Sequence, residues 1–509
     1  MSGPALSRRR LLARGIAWNT WYHLFGTALA LGAMMILVRI IPPAEYGRFG
    51  AALGLLALLN SFNFVGFVAQ ALQLPDGQEP DWSLHWSAGL YIQTSLMLAC
   101  HGLAGLCWLA PDYRAIAPLL HLAAFGLVLD WPAQLWAAML RREMNFRRLK
   151  VLHACSTTLN LLVTIIAGLA GGGAYAIVLG GNVITPLPLA VDLLLVHRWR
   201  PRPGWWGWPD WPLYRPALRF GLQQSGSALL GGARGALESV VLPGAVGFVP
   251  MGLLNRSRAL FTSTVGRVGQ VLVETAYPLL PRYVSDPKLY ARHAALFWQI
   301  LMLVLLPGAL YLGLEGPALS RLLYGERWIA ADPLFWPGAL AGLGLGLFVA
   351  GSSVLLAASR LRSCLLLDAL AAGLSVPVIA VAWAGGGIVA YAWAVAAGQL
   401  AVGAIALALA SSRLAVRWVR SALVPPAVGS LLAMAAVLTV ERSGVISALI
   451  PRLCLTTCFY ALTLAVSLRG LFPGPLAALL NGVPGGGRVS SWLRLPVAPA
   501  VSAARQRTS

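Results

Sequence analysis

The chain has 509 residues, of which 58% are hydrophobic and only 11% charged, with a formal net charge of +21. A soluble globular chain carries about 25% charged residues, so a water-soluble body is excluded. Apolar runs of about 20 residues, enough to cross a bilayer, recur from end to end. The alternating ~10-residue segments of a β-barrel do not. The class expected is an all-α polytopic membrane protein.

In chain order, "MSGPALSRRRLLARG" leads into a full-length span, and no cleavable signal peptide is expected. About fourteen transmembrane helices follow, at 16–41, 46–74, 84–110, 115–140, 151–170, 173–196, 220–243, 249–281, 292–314, 334–358, 362–384, 387–411, 421–440 and 445–468. Turn residues mark their ends, as in "IPPAEYG", "LAPDYR", "GGG" and "LPGAVG". Two faint repeats keep their order. "PPAEYG" (42–47) echoes "LPGAVG" (242–247), and "AGGGAYA" (170–176) echoes "AGGGIVAYA" (384–392). They divide the chain into a basic N-terminus (1–15), an N-lobe (16–196), a linker (197–219), a C-lobe (220–411), a helix pair (412–469) and a tail (470–509). Two pseudo-symmetric six-helix lobes around a central cationic cavity are a recurrent transporter plan. The tail is rich in Pro, Gly, Ser and Arg and is expected to be disordered.

Loop charges set the orientation. With the N-terminus inside, 27 of the 38 Lys and Arg fall in cytoplasmic segments, seven in outer loops and four within the membrane. That asymmetry predicts both termini in the cytoplasm. The linker "HRWRPRPGWWGWPDWPLYRPALRF" packs tryptophans among arginines. Such a segment anchors at the headgroup layer far more often than it stacks on bases, and no nucleic-acid partner is expected. The six cysteines form no C-x-x-C pair and the histidines no H-E-x-x-H. No metal site and no cofactor are expected. "GLGLGLF" (342–348) lies inside an apolar run and reads as helix packing rather than a nucleotide loop.

The informative residues are charges inside spans. In 249–281, Arg256, Ser263, Arg267, Gln270 and Glu274 share one face at 100° per residue, and Arg258 points the other way. In 220–243, Gln223, Ser227, Arg234 and Glu238 share a face. Asn60, Asn63 and Gln70 recur at helical spacing in the second span, and Asn19 and His23 sit one turn apart in the first. Each charge at the bilayer centre costs about 2.5–3.5 kcal/mol on insertion scales. Architectural pairs, Arg234 with Glu238 and Arg267 with Glu274, are one solution. A water-filled cavity is the other, and it leaves a cationic site suited to an anionic substrate. Guanidinium grips phosphate through paired donors. Glu238 and Glu274 are the expected H⁺ or Na⁺ sites.

"ILVRIIPPAEYGRFG" (36–50), "MLRREMNFRRL" (139–149), "GLLNRSRAL" (252–260) and "LLYGERWIAADPL" (322–334) together resemble the lipid-linked oligosaccharide flippases. These export O-antigen, capsule or exopolysaccharide units and belong to the multidrug/oligosaccharidyl-lipid/polysaccharide exporter superfamily. The resemblance covers roughly residues 10–415. It implies fourteen helices in two lobes, alternating access, and a sugar chain on undecaprenyl pyrophosphate carried to the outer leaflet of the bacterial inner membrane. It also implies arginines over the diphosphate, at Arg256, Arg267 and Arg234. The first span departs from the pattern, offering only Asn19 and His23. Polymerase and chain-length machinery are the implied protein partners.

Two other classes compete. A glycan polymerase or ligase needs a sizeable outer loop or outer acids. The longest outer loop here is about 20 residues, with only Glu315, Glu326 and Asp332. A drug/cation antiporter needs intramembrane acids for its cargo, whereas this cavity reads as net positive. A non-enzymatic flippase is the expected function.

Overall fold

The computed structural model describes residues 18, 21–22, 25–30, 32–75, 78–197, 206–414, 418–444, 448–474, 476–477 and 491. Asn19, His23, the 1–15 segment, linker residues 198–205 and most of the tail lie outside the described residues. Among those described there are helices and turns and no strand. The helices are α1 (Pro43–Asn60), α2 (Phe64–Val68), α3 (Trp82–Leu109), α4 (Ala117–Arg142), α5 (Phe146–Leu169), α6 (Gly173–Val178), α7 (Leu187–Val191) and α8 (Trp211–Val246). They continue with α9 (Phe248–Phe261), α10 (Arg267–Ala276), α11 (Pro287–Tyr324), α12 (Phe335–Ala357), α13 (Leu361–Val381), α14 (Gly387–Leu414), α15 (Trp418–Arg442) and α16 (Leu449–Leu471).

Local chemistry explains the starts. Asp81, Asn145, Asp210 and Asp286 each accept backbone N–H bonds from the first turn of α3, α5, α8 and α11. Burial pushes the Asp81 carboxyl up, but bonds from the Ser83 hydroxyl and the Leu84 and Ser83 N–H groups outweigh it, and the net shift is downward. Proline occupies the first turn of α1, α4, α8 and α11, where its missing N–H costs nothing.

Among the described residues, ten helical segments are long and apolar enough to cross a membrane, so the chain is a multi-pass membrane protein. One of the ten, Leu361–Ser412, contains Gly385 and Gly387 at φ +84° and +65°. These left-handed turns separate α13 from α14, and the two helices pack along each other. The expected spans at 220–243 and 249–281 correspond to α8 and α9–α10, which are long enough but too polar to stand among the ten.

Contacts divide the chain into two compact units, Met1–Leu253 and Leu254–Ser509. Close approaches at glycines hold α8 and the start of α9 against α1 within the first unit. A Cβ on Gly54 would overlap Ser239 Oγ, one on Gly47 the Phe248 carbonyl, and one on Gly252 the Pro43 carbonyl. Small residues at such crossings let backbones approach, which drives association where lipid removes the hydrophobic force.

The rest of the first unit is built on aromatic packing and satisfied charges. Phe64, Trp86, Trp131 and Trp136 form its core with α3 and α4. The Trp206 ring of the linker stands edge-on to two others, with centroids 5.3 Å from Trp86 and 6.0 Å from Trp131, so this end of the linker packs onto the unit. Arg142, read in sequence as a loop charge, donates to four backbone carbonyls, those of Ala71, Leu74, Pro75 and Gln78. Arg148 makes a two-pronged pair with Asp192, both contacts at 2.9 Å, and Trp136 Nε1 donates to the same carboxylate at 2.7 Å. Two of the repeat motifs meet: Glu45 of "PPAEYG" accepts from the Ala174 N–H of "AGGGAYA" at 3.0 Å.

In the second unit, α12 runs along α14. A Cβ on Gly344 would press on the Gln399–Leu400 backbone, and one on Gly403 on the Gly344 carbonyl. The α15–α16 pair packs on α11, where Tyr460 donates to the Pro307 carbonyl at 2.8 Å.

The glycine seam yields a direct check. Gly54→Leu forces side chain into an occupied gap and is expected to cost about 1–3 kcal/mol or more. Gly105→Leu, where nothing lies within 4 Å, is expected to leave the melting temperature of the detergent-purified protein within 1–2 °C of the parent, by the roughly ±0.5 kcal/mol range of neutral surface changes. Equal melting temperatures for the two variants would contradict the seam.

Candidate functional site

The cationic face of the first unit lies along α8. Arg215, Arg219 and Gln223, at i, i+4 and i+8, line an open cavity of about 940 Å³ together with Pro212, Pro216 and Phe220. Further along the helix, Arg234 and Glu238 stand one turn apart and are half-buried. The side chain of Ser227 lies outside the described residues. Arg215 and Arg219 had been counted only as linker charges. Their spacing relative to Gln223 was the signal that they continue the α8 stripe.

In the second unit, α10 carries a continuous hydrogen-bonded row. Arg267 Nη1 donates to Gln270 Oε1 at 3.3 Å, and Gln270 Nε2 donates to Glu274 Oε1 at 2.7 Å. All three are exposed. The amide relays the carboxylate's charge to the guanidinium, so Arg267 is partly neutralised without direct contact. Arg267 and Glu274 are thus linked through a neighbour rather than in direct contact. Arg256 is half-buried on α9. Arg258 holds its guanidinium 5.9 Å from the Tyr391 ring centroid on α14, a cation–π contact that accounts for a charge facing away from the row.

Thr262–Gly266 forms a π turn between α9 and α10. Such a turn holds one residue more than an α turn, so everything beyond it rotates by about 100°. The single face drawn through Arg256, Ser263, Arg267, Gln270 and Glu274 therefore breaks at the turn. It holds along α10 itself. Ser263 sits within the π turn and is half-buried.

The second-span stripe is also interrupted. The helix stops at Asn60 and resumes at Phe64, and Asn63 caps the new start by accepting from the Val65 N–H at 3.2 Å. Gln70 falls in a following 3₁₀ segment, Ala69–Gln73. Asn63 instead joins a polar cluster that the sequence reading passed over. Its Nδ2 donates to Asp130 Oδ2 at 3.3 Å and approaches Asn60 Oδ1 at 3.5 Å, and its Oδ1 accepts from Gln93 Nε2 at 3.2 Å. Gln134 Nε2 contacts both Asp130 oxygens at 3.0 and 3.1 Å. The available signal was a carboxylate inside an apolar span with an amide one turn on.

These two arrangements differ in chemistry. The guanidinium-bearing faces of α8, α9 and α10 offer paired donors for phosphate oxygens. The Asp130 cluster offers oxygens around one negative charge. Among the described residues no three His, Cys, Asp or Glu side chains gather as a metal site.

Comparison with known proteins agrees with this picture. Over 331 residues the chain is 22% identical to the succinoglycan biosynthesis transport protein ExoT of Rhizobium meliloti (strain 1021), a match covering 64% of this chain and 65% of that protein. The fold resembles that of the lipid II flippase MurJ in an inward closed conformation, with TM-score 0.69 at 12% identity, over 90% of this chain and 99% of MurJ. An inward-facing multidrug MATE transporter of the MOP superfamily matches with TM-score 0.50 at 14% identity, over 77% of this chain and 94% of its own. The polysaccharide biosynthesis protein family matches residues 36–333, more than half of the chain, and the protein belongs to that family.

Proposed function

We propose that the protein is a flippase. It carries undecaprenyl-pyrophosphate-linked oligosaccharide repeat units from the inner to the outer leaflet of the bacterial inner membrane, by alternating access, for polysaccharide or lipopolysaccharide assembly. The observation that carries this reading is that each unit bears guanidiniums inside its spans, Arg234 on α8 in the first and Arg256 and Arg267 on α9 and α10 in the second, in a member of a polysaccharide biosynthesis family with a MurJ-like fold. A lipid-linked sugar diphosphate presents two charged phosphates and a polar chain. Arginines inside spans answer the phosphates, and polar side chains such as Asn60, Gln70, Gln223 and Ser263 answer the sugar.

Arg215 and Arg219 sit where α8 begins, next to the linker. With the linker in the cytoplasm, they receive the diphosphate first. Arg234, Arg256 and Arg267 then hold it in turn. Arg256 and Arg267 are separated by about 16 Å along a helix axis, so one diphosphate engages them in succession. Glu274, tied to Arg267 through Gln270, competes with phosphate for that guanidinium. A proton or Na⁺ on Glu274, or on Glu238 beside Arg234, frees the arginine. Both termini lie in the cytoplasm, and polymerase and chain-length proteins take over the product outside.

In a strain lacking the protein, undecaprenyl-linked repeat units are expected to accumulate on the inner leaflet while surface glycan falls. Unchanged surface glycan in the absence of a redundant exporter contradicts the reading.

At equal membrane levels, Arg267→Ala and Arg256→Ala are expected to reduce export at least tenfold. The Lys variants should recover part of it, since charge remains without the paired donors. Arg258→Ala is expected to keep export and to lose about 0.5–2 kcal/mol of stability with its cation–π contact. Measured export and melting temperatures in the reverse order overturn the assignment.

A further inference from the structure

The first unit contains a second, smaller site of opposite character. A cavity of about 130 Å³ lies among Tyr22, Asp130, Gln134, Ser156, Thr157 and Thr185, with His153 at its wall. It holds room for a small ion and a few waters. Asp130 is half-buried in an apolar span, and among the described residues it has no ion-pair partner. Its hydrogen-bond partners are neutral amides, Asn63 and Gln134. By contrast Asp192, the other buried aspartate of the unit, is fully matched by Arg148. An unmatched carboxylate in the membrane costs about 2.5–3.5 kcal/mol on insertion scales. The surroundings of Asp130 are arranged to remove that cost in a particular way.

The hydroxyls around it offer lone pairs. Thr157 Oγ1 donates to the His153 carbonyl at 2.9 Å and Thr185 Oγ1 to the Gly180 carbonyl at 3.0 Å. With their protons directed at the backbone, both oxygens are left as acceptors; Thr157 Oγ1 also meets the Tyr22 hydroxyl at 3.4 Å and keeps its other lone pair for a ligand. Ser156, only 4% exposed, lines the same cavity with its Oγ unpartnered. Gln134 directs its amide nitrogen to Asp130, which leaves its Oε1 for another group. Behind Asp130, Gln93 is fully buried, donates to Asn63 and has an unpartnered Oε1. The cluster is thus rich in oxygen acceptors around a single negative charge.

We infer that this cavity binds one monovalent hard cation of sodium size, held by the Asp130 carboxylate with the Gln134, Ser156, Thr157 and Thr185 oxygens. Hard cations take all-oxygen shells. A single carboxylate balances one positive charge, and the positive Lys150, 5.0 Å from the Tyr22 ring, opposes a second. The other charged or titratable groups near the site are Tyr22, His153 and Arg141. The site is separate from Glu238 and Glu274. Its role as the coupling site rests on the transport reading. Its existence does not, and the binding measurement below needs no export.

The test uses the full-length protein purified without sodium in choline chloride, with ²²Na⁺ binding measured at pH 8. Saturable binding near one ion per chain is expected. Asp130→Asn, which keeps the shape and removes the charge, should weaken it at least tenfold while the protein remains monodisperse. The double variant Thr157→Val/Thr185→Val keeps Asp130 and should also weaken it at least tenfold, which decides the matter even if Asp130→Asn does not fold. Sodium binding equal to the parent in both variants overturns the site. So does the absence of sodium binding in the parent, accompanied by proton uptake that Asp130→Asn abolishes, which assigns a proton in place of the alkali ion.

Discussion

A charge in hydrocarbon must be matched, hydrated or removed, and this chain answers that requirement differently at each place where it arises. Asp192 is matched outright, by two guanidinium contacts and an indole N–H. Arg258 rests over an aromatic face. Arg267 and Glu274 are joined at one remove through an amide, a weaker solution that leaves both free to exchange partners. Asp130 is held by amides alone. Fully satisfied pairs such as Arg148–Asp192 fix the helices, and the partly satisfied ones are those assigned above, as proposals, to ligand binding.

The backbone follows the same division. Where helices only pack, glycines bring them into contact, as at Gly54 against Ser239 or Gly344 against Gln399. Where polar chemistry is concentrated, the regular helix gives way. The chain breaks at Asn63 beside Asp130, and a π turn lies between Arg256 and Arg267. Such interruptions are tolerated at membrane depth when side chains resatisfy the freed groups or the segment lines a cavity.

Much of the architecture was legible in the sequence because hydropathy over 20 residues is a strong signal. The apolar spans and their turns at "LAPDYR" and "AGGG" followed from it, while the family resemblance rested on the four quoted motifs. The α10 row was legible because Arg267, Gln270 and Glu274 lie within two regular turns. What periodicity could not carry was any change of period. A constant 100° per residue runs blindly through Thr262–Gly266 and through Ser61–Asn63, so Arg256 and Gln70 were assigned faces they do not share with their neighbours. Asp130 was passed over because its helix shows one acid and one amide among apolar residues, and its partner Asn63, with Gln93 bonded to Asn63 in turn, comes from a distant segment. Arg215 and Arg219 were hidden by being counted as linker charge. The close approach of α8 to α1 was hidden too, because a glycine in an apolar run does not announce its contact.

The central claim is that the arginines within the α8, α9 and α10 spans move a lipid-linked diphosphate between leaflets. Its most direct test is reconstitution of the purified protein into proteoliposomes carrying labelled undecaprenyl-pyrophosphate oligosaccharide in both leaflets. The rate at which inner-leaflet lipid becomes accessible to a membrane-impermeant glycan-cleaving enzyme is then followed. The account predicts protein-dependent transfer that Arg267→Ala slows at least tenfold at equal protein density. Transfer no faster than in protein-free liposomes, or equally fast with Arg267→Ala, would contradict it.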